Sequence, residues 1–133
     1  WLDPSDSSNV TLSGSDIVKL SDRSGKNHHA GNNSTPATPP VLATAALNNL
    51  DAVLFDGMDD YLSIAQKNDL KFDPEYDEYT IFMIHRATAD GTILSKGCQD
   101  IPYDQFKVTS TAGIVDAKLF LQLPDQCGLR GFA

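Results

Sequence analysis

The stretch Ala52-Val53-Leu54-Phe55-Asp56-Gly57-Met58-Asp59-Asp60-Tyr61-Leu62-Ser63-Ile64 constrains the fold of this chain more than any other, because two apolar strand patterns are joined by five residues rich in Asp and Gly. It reads as a strand, a tight acidic turn and a second strand. Gly57 can supply the positive φ that such a turn requires. Asp56, Asp59 and Asp60 crowd three carboxylates into the turn, where each must face water or meet a cation. The flanking Phe55 and Tyr61 are expected to face the interior, as are Ile81 and Ile93 on other strand-like runs, and truncating Phe55 to Ala is expected to cost about 3 to 5 kcal/mol.

Short β-forming runs recur along the chain, at 10–12, 17–20, 52–55, 61–64, 80–86, 92–95, 105–109 and 118–123. Turn chemistry separates them: Ser13-Gly14-Ser15-Asp16, Ala89-Asp90-Gly91 and Ser110-Thr111-Ala112-Gly113 read as hairpin connections. About eight strands joined in this way point to an all-β antiparallel sandwich whose two sheets share one core. Residues 27–40 lack an apolar period and contain Asn, Ser, Thr, Gly and prolines, so they predict a long surface crossing. Residues 43–50 have local helical propensity, enough for one turn, and 64–74 suit a short helical or irregular excursion.

The 133 residues, 41% of them hydrophobic, suit one domain, and the net charge of −8 narrows its partners. Of the 18 acids only Glu75 and Glu78 are Glu, and Asp favours turns and ion-binding loops over helices. A surface of this sign repels nucleic acid and anionic membranes, which need clustered Lys and Arg. No apolar run approaches the roughly 18 residues of a spanning helix, so no membrane insertion is expected. Cys98 and Cys127 fit no metal pattern and are read either as one disulfide or as two separate thiols. Three sequons, at Asn9, Asn32 and Asn33, would matter only in a eukaryotic secretory product.

The 52–64 stretch also resembles the F-D-G-x-D-D-Y-L signature of concanavalin A-like, laminin G-like (LamG, pentraxin-type) jelly-roll domains. Trp1-Leu2-Asp3-Pro4-Ser5-Asp6 is similar to their W-L-D-A-S-D opening. Leu20-Ser21-Asp22-Arg23-Ser24-Gly25-Lys26-Asn27 is similar to W-S-D-K-S-G-N-G, with Leu20 in place of Trp. Tyr79-Thr80-Ile81-Phe82-Met83-Ile84 and Gly91-Thr92-Ile93-Leu94-Ser95-Lys96-Gly97 resemble two further strands of the family, in the family's order. The resemblance implies a jelly-roll-like sandwich, and in the family pattern 43–50 introduces the next strand instead of a helical turn. No counterpart of the family's W-H-h-v return strand occurs, so the resemblance also implies a domain completed by further strands, 1–133 being part of a longer chain. Alone, such a piece is expected to be marginally stable or prone to aggregate through unpaired edges.

Several groups of residues are candidates for chemistry. Asp56, Asp59 and Asp60 offer the hard oxygens that calcium selects, although the same residues equally cap the amides of their own turn. Asp3, Asp6 and Asp22 would meet if the N-terminal strand lies beside the one ending at Leu20, with a turn and a local salt bridge as the plainer reading. His28-His29 and His85 lack evident metal partners, and His28 and His29 point to opposite faces of any strand. Glu75-x-Asp77 matches the start of the E-x-D-x-x-E glucanase pattern of this fold, but Thr80 replaces the third acid and breaks it. Pyranose faces stack on aromatic rings. Tyr76 and Tyr103 lie in polar loop contexts and are the candidate ligand-binding rings, whereas Trp1 reads as a core or strand anchor.

The expectation is therefore a non-catalytic binding or adhesion module of an extracellular, cell-surface or virion-surface assembly, with glycan or a surface protein as partner and calcium as cofactor. The alternative is a structural module, such as a decoration or fibre protein of a virus particle packed against other subunits, or a spacer in a surface protein. A glycoside hydrolase ranks third.

Overall fold

A computed structural model of the chain describes residues 1–32, 39–65, 68–70, 78, 80–97, 104–111, 113–119 and 128–132. The described chain is all-β, with ten strands: β1 (Val10–Ser13), β2 (Asp16–Leu20), β3 (Ala30–Gly31), β4 (Val41–Leu47), β5 (Leu50–Leu54), β6 (Tyr61–Ile64), β7 (Gly91–Gly97), β8 (Asp104–Thr111), β9 (Ile114–Leu119) and β10 (Gly128–Phe132). Short 3-10 turns at Ser7–Asn9 and Asn68–Leu70 are the helical elements among the described residues. The second falls inside the 64–74 span expected to be helical or irregular.

Every ladder is antiparallel, and the order is β5-β4-β2-β3-β6-β10-β7-β8-β9, with β1 also paired to β2. β1 runs along one edge of β2 for its whole length. β3 and β4 divide the other edge, β3 opposite Lys19 and Leu20 and β4 opposite Asp16. The β4 junction is sealed by main-chain bonds from Ile17 N–H to the Pro40 carbonyl at 2.8 Å and from Leu42 N–H to the Ser15 carbonyl at 3.0 Å. Ile17, Leu20, Ala30 and Leu62 are buried as one cluster, and Val10, Leu42, Val53, Phe55 and Ile64 pack against it. Phe55 thus does anchor the acidic turn to the core. A second buried group lies on β7 and β8, where Lys96 pairs across the strands with Phe106 and Val108 follows on the same face. Burial lowers the Lys96 ammonium from its ordinary value.

Four expectations are corrected. Residues 80–86 carry the strongest β-propensity in the chain but form no strand, and Ile81, expected inside, is 42% exposed, beside Phe82 at 94%, Met83 at 39% and Ile84 at 87%. Propensity for strand is a fit to a pleated, half-buried surface, and the described residues give this run no ladder to fit. Residues 43–50 form a hairpin rather than a helical turn: Asn48 and Asn49 take φ of 50° and 63°, the two positive values of a type I′ connection, and they join β4 to β5. The crossing at 27–40 contains a strand, β3, whose Ala30 is buried against Leu20 and Ile64. The last expected strand, 118–123, begins earlier, at Ile114, and 120–123 lie outside the described residues. Tyr61 and Ile93 are half-buried.

Candidate functional site

The β5–β6 connection folds the three predicted carboxylates together. Gly57 sits at φ +76°, where an L side chain would be strained although the space around it is open. Asp56 Oδ1 accepts from the Met58 N–H at 2.8 Å and the Asp59 N–H at 3.3 Å, closing the turn on its own side chain. Asp60 Oδ2 accepts from the Asp56 N–H at 2.8 Å and locks the two ends. Asp56, Asp59 and Asp60 each present an oxygen, and these three oxygens lie within 4.8 Å of one another. Calcium–oxygen bonds of about 2.3 to 2.6 Å put opposite ligands about 4.6 to 5.2 Å apart, so the spread fits inside one coordination sphere.

Electrostatically the three acids are unequal. The Met58 N–H, with smaller help from the neighbouring amides, lowers the Asp56 carboxyl. Asp60 is buried, and burial raises its carboxyl. Repulsion from Asp56, Asp59 and Asp16 adds to the rise, and the Asp56 N–H offsets it only in part. Among the described residues no Lys, Arg or His pairs with Asp56, Asp59 or Asp60. Asp16, a fourth acid acting on Asp60, is missed by a linear reading because it lies about 40 residues upstream of the turn, a separation no spacing rule spans. Strand register brings it close: Asp16 pairs with Val41, and Val41 pairs with Leu54, just before the turn.

The second predicted group also assembles, as a structural staple. Asp22 is buried, and its Oδ1 accepts from the Trp1 main-chain nitrogen at 2.8 Å and the Ser24 N–H at 2.9 Å, while Oδ2 accepts from Ser24 Oγ at 2.6 Å and the His28 N–H at 3.0 Å. Burial works to raise this carboxyl, but the donors from Trp1, Ser24 and His28 outweigh it and hold it far below the usual carboxylate range. Arg23 bridges Asp3 at 3.1 Å and Asp6 at 3.4 Å, and its N–H donates to the Trp1 carbonyl at 2.9 Å. Trp1 itself corrects an expectation: its main chain is the anchor, and its ring is not, the residue being 77% exposed.

The histidines serve the same architecture. His28 Nε2 meets Asp69 Oδ1 at 2.9 Å, tying the β2–β3 loop to the Asn68–Leu70 turn, and the His29 Nδ1 accepts from the Asp22 N–H at 2.9 Å. The His28 hydrogen bond is the main influence lowering the Asp69 carboxyl. His85 is exposed, on the 80–86 run. The predicted ligand rings Tyr76 and Tyr103, the acids Glu75 and Asp77, and Cys98 and Cys127 all lie outside the described residues. No protein-family model, curated protein or solved structure matches the chain. What fold and site define together is an all-β antiparallel protein with one crowded acidic turn among its described residues.

Proposed function

We propose that the chain is a non-catalytic binding or adhesion module of an extracellular or surface assembly, that its β5–β6 turn takes calcium, and that glycan is its ligand class. The observation that carries this reading is the set of three carboxylate oxygens within 4.8 Å, one of them on a buried residue and none facing a protein cation among the described residues. Hard, crowded oxygens of this kind suit calcium, with main-chain carbonyls and water completing about 6 to 8 positions. The all-antiparallel topology supports a jelly-roll-like sandwich of the concanavalin A-like type as the scaffold. Its described residues contain no helix long and apolar enough to cross a membrane. Tyr76 and Tyr103 remain the proposed stacking rings, and the exposed Trp1 ring is a third surface of the same chemistry.

Calcium added to chelator-treated protein is expected to raise the melting temperature, by the equivalent of about 2.7 kcal/mol at a hundredfold excess over Kd. No shift in the melt and no heat of binding would reduce the turn to architecture. Glycan-array binding lost in Tyr76→Ala or Tyr103→Ala would support the ligand class, and an array blank with and without calcium would remove it.

A second reading, a structural module of a virus particle or a spacer in a surface protein, draws on a different observation. The run Ile81, Phe82, Met83, Ile84 is exposed and apolar, as a surface awaiting another subunit would be. A glycan blank combined with burial of this run in a native assembly would favour that reading.

A further inference from the structure

We propose that the 22–29 loop is an acid-sensitive clasp and that His29 is its sensing side chain. The inference stands on hydrogen-bond direction and does not depend on the proposed function. A main-chain N–H can only donate, so the 2.9 Å contact between the Asp22 N–H and His29 Nδ1 fixes Nδ1 as the bare nitrogen and leaves the ring proton on Nε2. Adding a proton at Nδ1 sets two N–H groups against each other. The contact is partly buried, and leaving the Asp22 N–H there without an acceptor is unfavourable.

The ring has no easy refuge at the Asp22 carboxylate. Both oxygens are occupied, by the Trp1 nitrogen and Ser24 N–H on one side and by Ser24 Oγ and the His28 N–H on the other, so a protonated His29 would have to displace one of these donors. The remaining charged groups nearby are Arg23 and Lys26 on the same loop, Asp3 and Asp6 on the N-terminal segment, Lys19 on β2 and Asp69 beyond β6; Tyr61 is the one titratable residue of β6. Of these, Asp69 is engaged by His28. His28 makes its side-chain contact away from the Asp22 N–H, so that donor depends on His29 for its acceptor. Opening the clasp frees Asp22 and Arg23, the two residues that hold Trp1 and, through Asp3 and Asp6, the N-terminal segment.

Amide hydrogen exchange of the 133-residue chain, corrected for intrinsic rates, tests this between about pH 8 and about pH 5, the span in which an imidazole ordinarily titrates. Protection of the Asp22 N–H is expected to fall by up to about tenfold per pH unit as one proton is taken up. His29→Asn keeps an acceptor oxygen where Nδ1 lies and cannot titrate, so its Asp22 protection is expected to hold steady across that range. His28→Gln is expected to leave the wild-type pH response in place. Equal pH responses in wild type and His29→Asn, or loss of the response in His28→Gln, would overturn the proposal. Nitrogen-15 spectra of wild-type protein at about pH 8 give a check without substitution: the Nε2–H form of His29 is expected, and the Nδ1–H form would sink the clasp.

Discussion

The two acidic groups of this protein use the same residue type to opposite ends. At the Asp22 loop every carboxylate faces donors: four hydrogen bonds reach Asp22, and Arg23 lies between Asp3 and Asp6. At the β5–β6 turn three carboxylates face mainly one another, and the donors that reach them belong to the turn's own amides. The titration behaviour follows. Asp22 is held far below the usual range although burial opposes this, whereas Asp60, also buried, is raised. Burial does not separate the two residues; the supply of donors and cations does. A buried carboxylate with its donors in place is a staple, and one with like charges around it has a reason to hold a cation.

The largest expected effect breaks the first half of the contrast. Asp22→Ala leaves the donors of Ser24, His28 and Trp1 without their acceptor in a buried setting, and a loss of about 3 kcal/mol is expected in denaturant unfolding. A loss near zero would mean that the loop repacks and that the staple has no energetic role.

Asp60→Asn tests the other half. The Asn side-chain oxygen can still accept from the Asp56 N–H, while the charge that repels Asp56, Asp59 and Asp16 is gone. In chelator this variant is expected to be as stable as wild type or more stable by up to about 1 kcal/mol, and to lose any response to calcium. A clearly less stable variant in chelator would show that like-charge repulsion is not the dominant strain in the turn.

Titration sharpens the comparison because the two signs differ. Asp22 is lowered on folding, so its stabilising contribution is fully present above the unfolded carboxylate range and is lost progressively as pH falls from that range through its much lower folded value. Asp60 is raised, so its charged form weakens the fold above the folded value, and that penalty disappears as pH falls through the folded value to the unfolded one. The stability gap between Asp60→Asn and wild type is thus expected to close as pH falls to the unfolded carboxylate range, while the gap for Asp22→Ala persists down to that range and shrinks only below it. Parallel pH profiles for the two gaps would refute the assignment of opposite signs.

How much of this the sequence carries differs between the regions. Asp22-Arg23-Ser24-Gly25 is local turn chemistry, so its ion-pair role is legible, as is the strand-turn-strand at 52–64. The meeting of Asp16 with the acidic turn depends on the register Asp16 to Val41 to Leu54, which no local pattern encodes. Alanine-rich 43–46 misleads because helix propensity there yields to the Asn48-Asn49 turn, and Gly128-Leu129-Arg130-Gly131-Phe132 is missed because its glycines hide a strand that bridges β6 and β7. Residues 80–86 mislead in the other direction, since their continuous apolar run is real and only the ladder is lacking among the described residues.

The smallest expected effect concerns the outer edge of the staple. Arg23 and its partners Asp3 and Asp6 are partly exposed, and such pairs contribute little because water and salt screen them. The Ser5 hydroxyl is the first influence lowering Asp3, and the Ser8 hydroxyl does the same for Asp6, so both acids keep a local donor when the guanidinium is removed. Arg23→Gln is therefore expected to lower the melting temperature only slightly at low salt. The difference from wild type should vanish near 1 M salt, where the screening length falls to about 3 Å. A large loss that survives high salt would show that the Arg23 side chain acts through packing, and would move the strength of the staple away from charge.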